Sequence, residues 1–316
     1  MRALVIFIRT LLIVLASVAL PAFISGQMAN KNSTHRDNPH IPDISGLAWV
    51  EGRSFLAVHD AKHPDEDHLP RASLVRLPAS LGGIERRTLE LLWQIPKTSI
   101  SDLESIARIP DTMLFLLVES GENVAGAPPS DRIFLTELAD DVLTIRSAIR
   151  FPHAVENIEG SAVASIDGRL VFIWAERAHG SPRTELSWAE LNVEPLGLGP
   201  RKHVYFRPGS FTGADRRPVS AIDVDHTGRI FIASAFDPKD DNGPFSSVVW
   251  EAGRIVATSR GGAAIRLYTE PRQLAQLDGL KVEGVAVRRT SGGIEIYVGM
   301  DDENYGGAVR QISYIR

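Results

Sequence analysis

A short pattern returns five times along the chain: a small or acidic residue, a small residue, then apolar positions two apart. It reads Ile44-Ser45-Gly46-Leu47-Ala48, Leu103-Glu104-Ser105-Ile106-Ala107, Ile158-Glu159-Gly160-Ser161-Ala162, Val219-Ser220-Ala221-Ile222-Asp223 and Val282-Glu283-Gly284-Val285-Ala286. Its second residue falls at 45, 104, 159, 220 and 283, at intervals of 59, 55, 61 and 63. A repeat of this period is a supersecondary unit that buries its apolar face only against its neighbours.

Hairpin chemistry follows each copy: Glu51-Gly52, Pro110-Asp111, Asp167-Gly168, Thr227-Gly228 and Gly292-Gly293. A second apolar run comes next, such as Met113–Val118 or Ile230–Ala235. Third and fourth runs complete the first four units, with Leu89–Ile95 read as the fourth of the first. No amphipathic helix interrupts them. The expectation is an all-β chain, a β-propeller of five four-stranded blades, with six blades the alternative. The last unit has only Ala308–Ile315 after its second run. Residues 27–41 are the available source of a closing strand, inferred from the need to pair an open edge.

The N-terminus stands apart. Arg2 precedes the apolar run Leu11–Leu20, Pro21 breaks it, and polar sequence begins at Gln27. Residues 1–26 read as a signal peptide or an uncleaved N-terminal anchor, and 27–316 as the propeller. That implies a periplasmic or secreted protein, touching membrane only through an uncleaved N-terminal segment. The formal charge of −5, which becomes −7 without Arg2 and Arg9, argues against a nucleic-acid partner. With no cysteine, disulfides, thiolate metal sites and cysteine nucleophiles are excluded. There is no Gly-x-Ser-x-Gly elbow and no strand-to-helix phosphate loop.

In a propeller, the starts of the innermost strands converge at one mouth of the central channel. Ser45, Glu104, Glu159, Ser220 and Glu283 would meet there. Three carboxylates that close need protonation, water or a cation, and calcium suits an irregular ring of hard oxygens. The plainer alternative is that each glutamate ties blades together through backbone N–H groups. The ends of the second strands reach the same face with His59, Asp60, Lys62, Glu119, Glu176, Arg177, Asp237 and Asp301. They suggest a pocket for a polar, anionic small molecule, in which Lys62, Glu119, Glu176, Asp237 and Asp301 contact the substrate. His59, His63 and His179 are possible acids or bases.

The ring Ser45, Glu104, Glu159, Ser220, Glu283 resembles the central calcium ring of five-bladed, calcium-activated nucleotidases (apyrases). The context Glu159-Gly160-Ser161-Ala162, running on to Phe172–Ala178, and Lys281–Val285 is similar too. Asp60 and Arg177 match polar residues that the family uses near its substrate. The first-blade loop His59-Asp60-Ala61-Lys62 departs from the family pattern. The chain is equally similar to phytase-like and SdiA-regulated-like bacterial propellers. The resemblance implies calcium as cofactor and a calcium-dependent phosphohydrolase, apyrase-like or phytase-like, with Asp60 as base and Arg177 stabilising charge. The alternatives are a binding propeller with structural calcium, or a metal-dependent esterase or lactonase.

Overall fold

The computed structural model describes residues 41–60, 70–79, 83–122, 130–178, 180–209, 211, 213 and 215–315. The expectations for residues 1–40 lie outside these, as do Lys62, His63 and His179. Five sheets, antiparallel but for one short edge strand, follow one another along the chain. Blade 1 is β1 (Gly46–Glu51), β2 (Ser54–Val58), β3 (Ala72–Arg76) and β4 (Glu85–Thr88). Next comes β5 (Leu91–Trp93). Blade 2 holds β6 (Leu103–Arg108), β7 (Leu114–Glu119), β8 (Arg132–Ala139) and β9 (Val142–Arg150). In blade 3, β10 (Ile158–Ile166) and β11 (Arg169–Glu176) lead to β12 (Thr184–Val193), which pairs with both β13 (Leu196–Leu198) and β14 (Lys202–Phe206). Blade 4 is β15 (Arg216–Val224), β16 (Arg229–Phe236), β17 (Ser246–Ala257) and β18 (Ala263–Asp278). Blade 5 has β19 (Val282–Thr290), β20 (Gly293–Asp301) and β21 (Gly307–Ile315). Among the described residues, one 3-10 turn at Glu303–Tyr305 is the whole helical content.

The innermost strands touch in the cyclic order β1, β6, β10, β15, β19 and back to β1, which closes the ring. Five buried apolar clusters lie between successive blades. An innermost strand is covered on both faces and reads as a near-continuous buried run, as at Val282–Val287, whereas the outer strands β4 and β18 keep exposed positions. The last interface, between blades 5 and 1, is clamped by Phe55 against Tyr297 with ring centroids 4.6 Å apart. Blade 5 has three described strands, and Ile41 extends it by an antiparallel bridge to Gly307, whose amide donates to the Ile41 carbonyl at 2.8 Å. Pro42 O lies 2.1 Å from where a Cβ on Gly307 would stand, so only glycine admits this crossing.

One expected strand changes blade. Leu89–Ile95 was to be the outer strand of blade 1, but Glu85–Thr88 takes that place. Leu91–Trp93 instead runs parallel to β9 on the outer edge of blade 2. Trp93 packs edge-on against Phe134 of that blade, centroids 6.2 Å apart. Burial of the indole decides the partner where backbone pairing alone does not.

Candidate functional site

The five recurring residues sit at irregularities of the innermost strands. The ladder shifts register between Leu103 and Ser105, between Ile158 and Gly160, and between Val282 and Gly284. In blade 4 the shift spans Arg217 to Ala221 and contains Ser220. In blade 1, Ser45 donates its amide to Val58 O at 3.1 Å while Gly46 already stands opposite Val58. A bulge bends the strand and re-aims the extra side chain, and here it does so once per blade. The following residue is always small. A Cβ at Gly160 would stand 2.9 Å from Ile222 N, and one at Gly284 2.7 Å from Leu47 Cβ. Neighbouring innermost strands therefore close up just inside the mouth.

Glu159 and Glu283 are matched by the protein's own cations. Arg217 Nη1 lies 2.5 Å from Glu283 Oε1 and 3.3 Å from Glu159 Oε2, and its Nη2 lies 2.7 Å from Asp237 Oδ2. Arg177 Nε is 2.6 Å from Glu159 Oε1. With its amide set to satisfy both neighbours, Asn157 donates to Glu159 Oε1 and accepts from Arg177. Lys281 is buried among four carboxylates: Asp301 at 2.8 Å, Glu283 at 3.5 Å, Asp237 at 3.6 Å, and Glu303 in contact. Arg217 and Lys281 are consequently held charged, above their ordinary range, although burial opposes it. Burial would raise Glu283, but Lys281 and Arg217 overcome it and hold the carboxyl down at about 2. Glu159 moves the other way: burial raises it, and Arg217 and Arg177 offset this only in part. Asp301 is pushed well up by burial and by the charge of Glu283, with which it shares a hydrogen bond.

Glu104 lies in a second group. Carboxylate oxygens of Asp60, Asp102 and Glu104 all stand within 4.8 Å of one another. Asp102, buried, accepts the Ser120 hydroxyl, and Ser45 Oγ accepts the Asp60 amide at 3.1 Å. Ser220 donates its hydroxyl to Val282 O at 2.6 Å, tying blade 4 to blade 5. Thus Ser45, Asp60 and Glu104 cluster in blades 1 and 2, while Glu159, Glu283, Arg177, Asp237 and Asp301 join the Arg217–Lys281 network.

Two expected substrate contacts are used elsewhere. Glu119 is fully buried, takes Arg132 Nη2 at 2.6 Å and accepts the Ser101 amide. Glu176 accepts from Arg201 Nη2 at 3.0 Å and from the Glu156 amide. His59 is also buried: its ring nitrogens lie 2.7 Å from Asp43 O and 2.9 Å from Ser73 Oγ, and burial lowers it to about 4. Arg217, Lys281 and Asp102 were not singled out from sequence. Each lies within three residues of a recurring position, and that proximity was the available signal.

Calcium takes six to eight oxygens and does not share a site with a guanidinium. The five-residue ring does not offer its oxygens to one ion as a set, because Arg217 stands between Glu159 and Glu283. Asp60, Asp102 and Glu104 do fit, as three hard donors at the right separation.

No protein-family model matches the chain, and no curated protein sequence matches it. Among solved structures, a thermostable family-43 glycoside hydrolase is similar at 11% identity and a TM-score of 0.52, over 87% of this chain and 91% of that one. The endo-arabinase of Bacteroides thetaiotaomicron VPI-5482 shares 10% identity over 88% and 95%, with a TM-score of 0.49. The periplasmic gluconolactonase of Pseudomonas aeruginosa shares 12% over 78% and 79%, with a TM-score of 0.38. At these identities the likeness concerns fold alone. Fold and site together define a five-bladed β-propeller with a densely charged mouth on one face of its channel.

Proposed function

We propose that the chain is an exported hydrolase of small anionic molecules, phosphoesters foremost, working at this charged mouth with a divalent cation. The observation that carries the reading is the side-by-side placement of a three-carboxylate group and a cationic network on one face. Asp60, Asp102 and Glu104 would hold the cation, calcium being the ion their oxygens suit. When bound, it supplies positive charge to a phosphoryl or carbonyl oxygen.

The chain's own residues supply the rest. Arg177, about a third exposed, is anchored by Glu159 and Asn157 and keeps part of its guanidinium open to solvent. It can fork onto phosphate or carboxylate oxygens. Arg217 and Lys281 neutralise the carboxylates beneath it, so an incoming anion does not meet a bare acidic ring. Asp60, as one of the three carboxylates, positions the cation or orients water beside it.

The test is release of phosphate from nucleoside diphosphates and simple phosphoesters, beside a panel of lactones and esters, in calcium and then in chelator. Turnover of a phosphoester that chelator abolishes is the expected result. Arg177→Ala should lower it by about 10²-fold, the scale of a lost charge-stabilising donor. Lactone turnover alone would move the substrate class, and no turnover of any kind would leave a binding propeller.

A further inference from the structure

The channel opens a second time, at the far ends of the innermost strands. There they enclose a cavity of about 430 Å3, within the size range of small-molecule sites. Four strands line it with a buried aliphatic residue: Leu47, Ile106, Val163 and Val287. The fifth, β15, lines it with Val224 and adds Asp223, at the place in the repeat that Ala48, Ala107, Ala162 and Ala286 hold in the other blades.

Asp223 accepts the Val224 amide through Oδ1 and the Val287 amide through Oδ2, each at 2.7 Å. The second bond ties blade 4 to blade 5, and the two leave a carboxyl with spare lone pairs against an aliphatic wall. Among the described residues it forms no ion pair. Burial lifts it to about 7 against the pull of the two amides, with Asp225 adding to the rise and Arg108 opposing it.

The rim carries two arginines, Arg108 and Arg289. Arg108 lies over the Trp49 ring, 5.2 Å from its centroid, and is fixed by Thr112 O at 2.9 Å and Val50 O at 2.5 Å. Among the described residues it has no carboxylate at ion-pair distance, and the exposed side chain of Arg289 makes no hydrogen bond or ion pair. Asp111, Asp225 and His226 also line the cavity, Asp225 being paired with Arg229 at 2.7 Å. An acceptor among aliphatic side chains, with two arginines at the rim, is complementary to a molecule carrying charges of both signs and an apolar body.

We propose that this cavity binds a zwitterionic aminocarboxylate with an apolar body, of the size of leucine or phenylalanine. Its ammonium group meets Asp223, its carboxylate turns to Arg108 and Arg289, and its body lies on the aliphatic wall. The site is separate from the charged mouth and does not rest on the hydrolase reading.

Calorimetric titration of the intact protein with leucine, phenylalanine, phenethylamine and 3-phenylpropionate tests it. The amino acids should bind at least about tenfold more tightly than either single-headed analogue, the factor of one charge-assisted hydrogen bond. Asp223→Ala, which gives β15 the alanine that the other four blades carry at this place, should weaken phenylalanine by a similar factor, as should Arg289→Gln. If Asp223→Ala fails to fold, Asp223→Asn serves in its place. The proposal is overturned if none of the four probes binds, if an analogue matches phenylalanine, or if phenylalanine binds a folded Asp223 variant as it binds wild type.

Discussion

Glu159 and Glu283 are almost wholly buried, and a buried carboxylate is tolerated only when a counter-charge meets it at contact distance. Arg217 performs that service for both, and for Asp237 as well. Arg217→Met keeps the length of the side chain and removes the charge that Glu159, Glu283 and Asp237 share, leaving them only Arg177 and Lys281. Urea unfolding should show a loss of about 3–5 kcal/mol, the scale of breaking a buried ion pair by deleting one partner. A variant as stable as wild type would mean that the network carries no stability. The same residue explains what the sequence left hidden. The recurring acids are visible because they recur, whereas Arg217 and Lys281 occur once each beside them. A fivefold pattern shows where charges gather, but not which blade brings the cation that neutralises them.

The elements repeat a device: a bulge that turns one side chain toward the mouth, then a small residue that lets adjacent innermost strands approach. At Gly284 the device coincides with the blade that joins the ends of the ring. A Cβ there would meet Leu47 Cβ at 2.7 Å and Leu47 N at 3.1 Å. Gly284→Ala should therefore push β19 from β1 and cost about 1–3 kcal/mol in denaturant unfolding, as overpacking of a tight core does. Gly83→Ala, at an ordinary φ, meets no atom within 4 Å, so it should stay within about 0.5 kcal/mol of wild type. Equal costs would contradict the close approach. Strand identity was legible wherever apolar alternation and Gly-containing turns coincide. Partner choice was not, as Leu91–Trp93 shows. Its period is that of a strand in any blade, and only the packing of Trp93 on Phe134 selects blade 2.

For the whole molecule, the repeat made the fold readable because each interface between blades demands the same apolar pattern from both sides. The electrostatics of the assembled channel were not readable, since they depend on which residues five separate strands bring together. They also govern stability against pH. His59 titrates near 6.5 in the unfolded chain and about 4 in the folded one. Between those values the unfolded chain binds more protons, and stability rises with pH. Asp223 acts in the opposite sense: near 4 unfolded and about 7 folded, it costs stability as pH rises through that window. Relative to wild type, Asp223→Asn should gain about 3 kcal/mol in unfolding free energy between pH 4 and pH 7. A difference independent of pH would show that Asp223 ionises in the fold as it does in water.

The account of the charged mouth turns on where a cation is held. Ligand that binds only the native state raises its melting temperature, so melts in calcium and in chelator report the site. The decisive comparison is among wild type, Asp102→Asn and Glu283→Gln. Asparagine suits the left-handed backbone of Asp102 (φ 54°) and removes one of the three clustered carboxylates. The account predicts that calcium raises the melting temperature of wild type and of Glu283→Gln, whose carboxylate is already taken by Arg217 and Lys281, and not that of Asp102→Asn. A shift that survives Asp102→Asn and disappears in Glu283→Gln would contradict it, and would place the ion in the five-residue ring that the sequence first suggests.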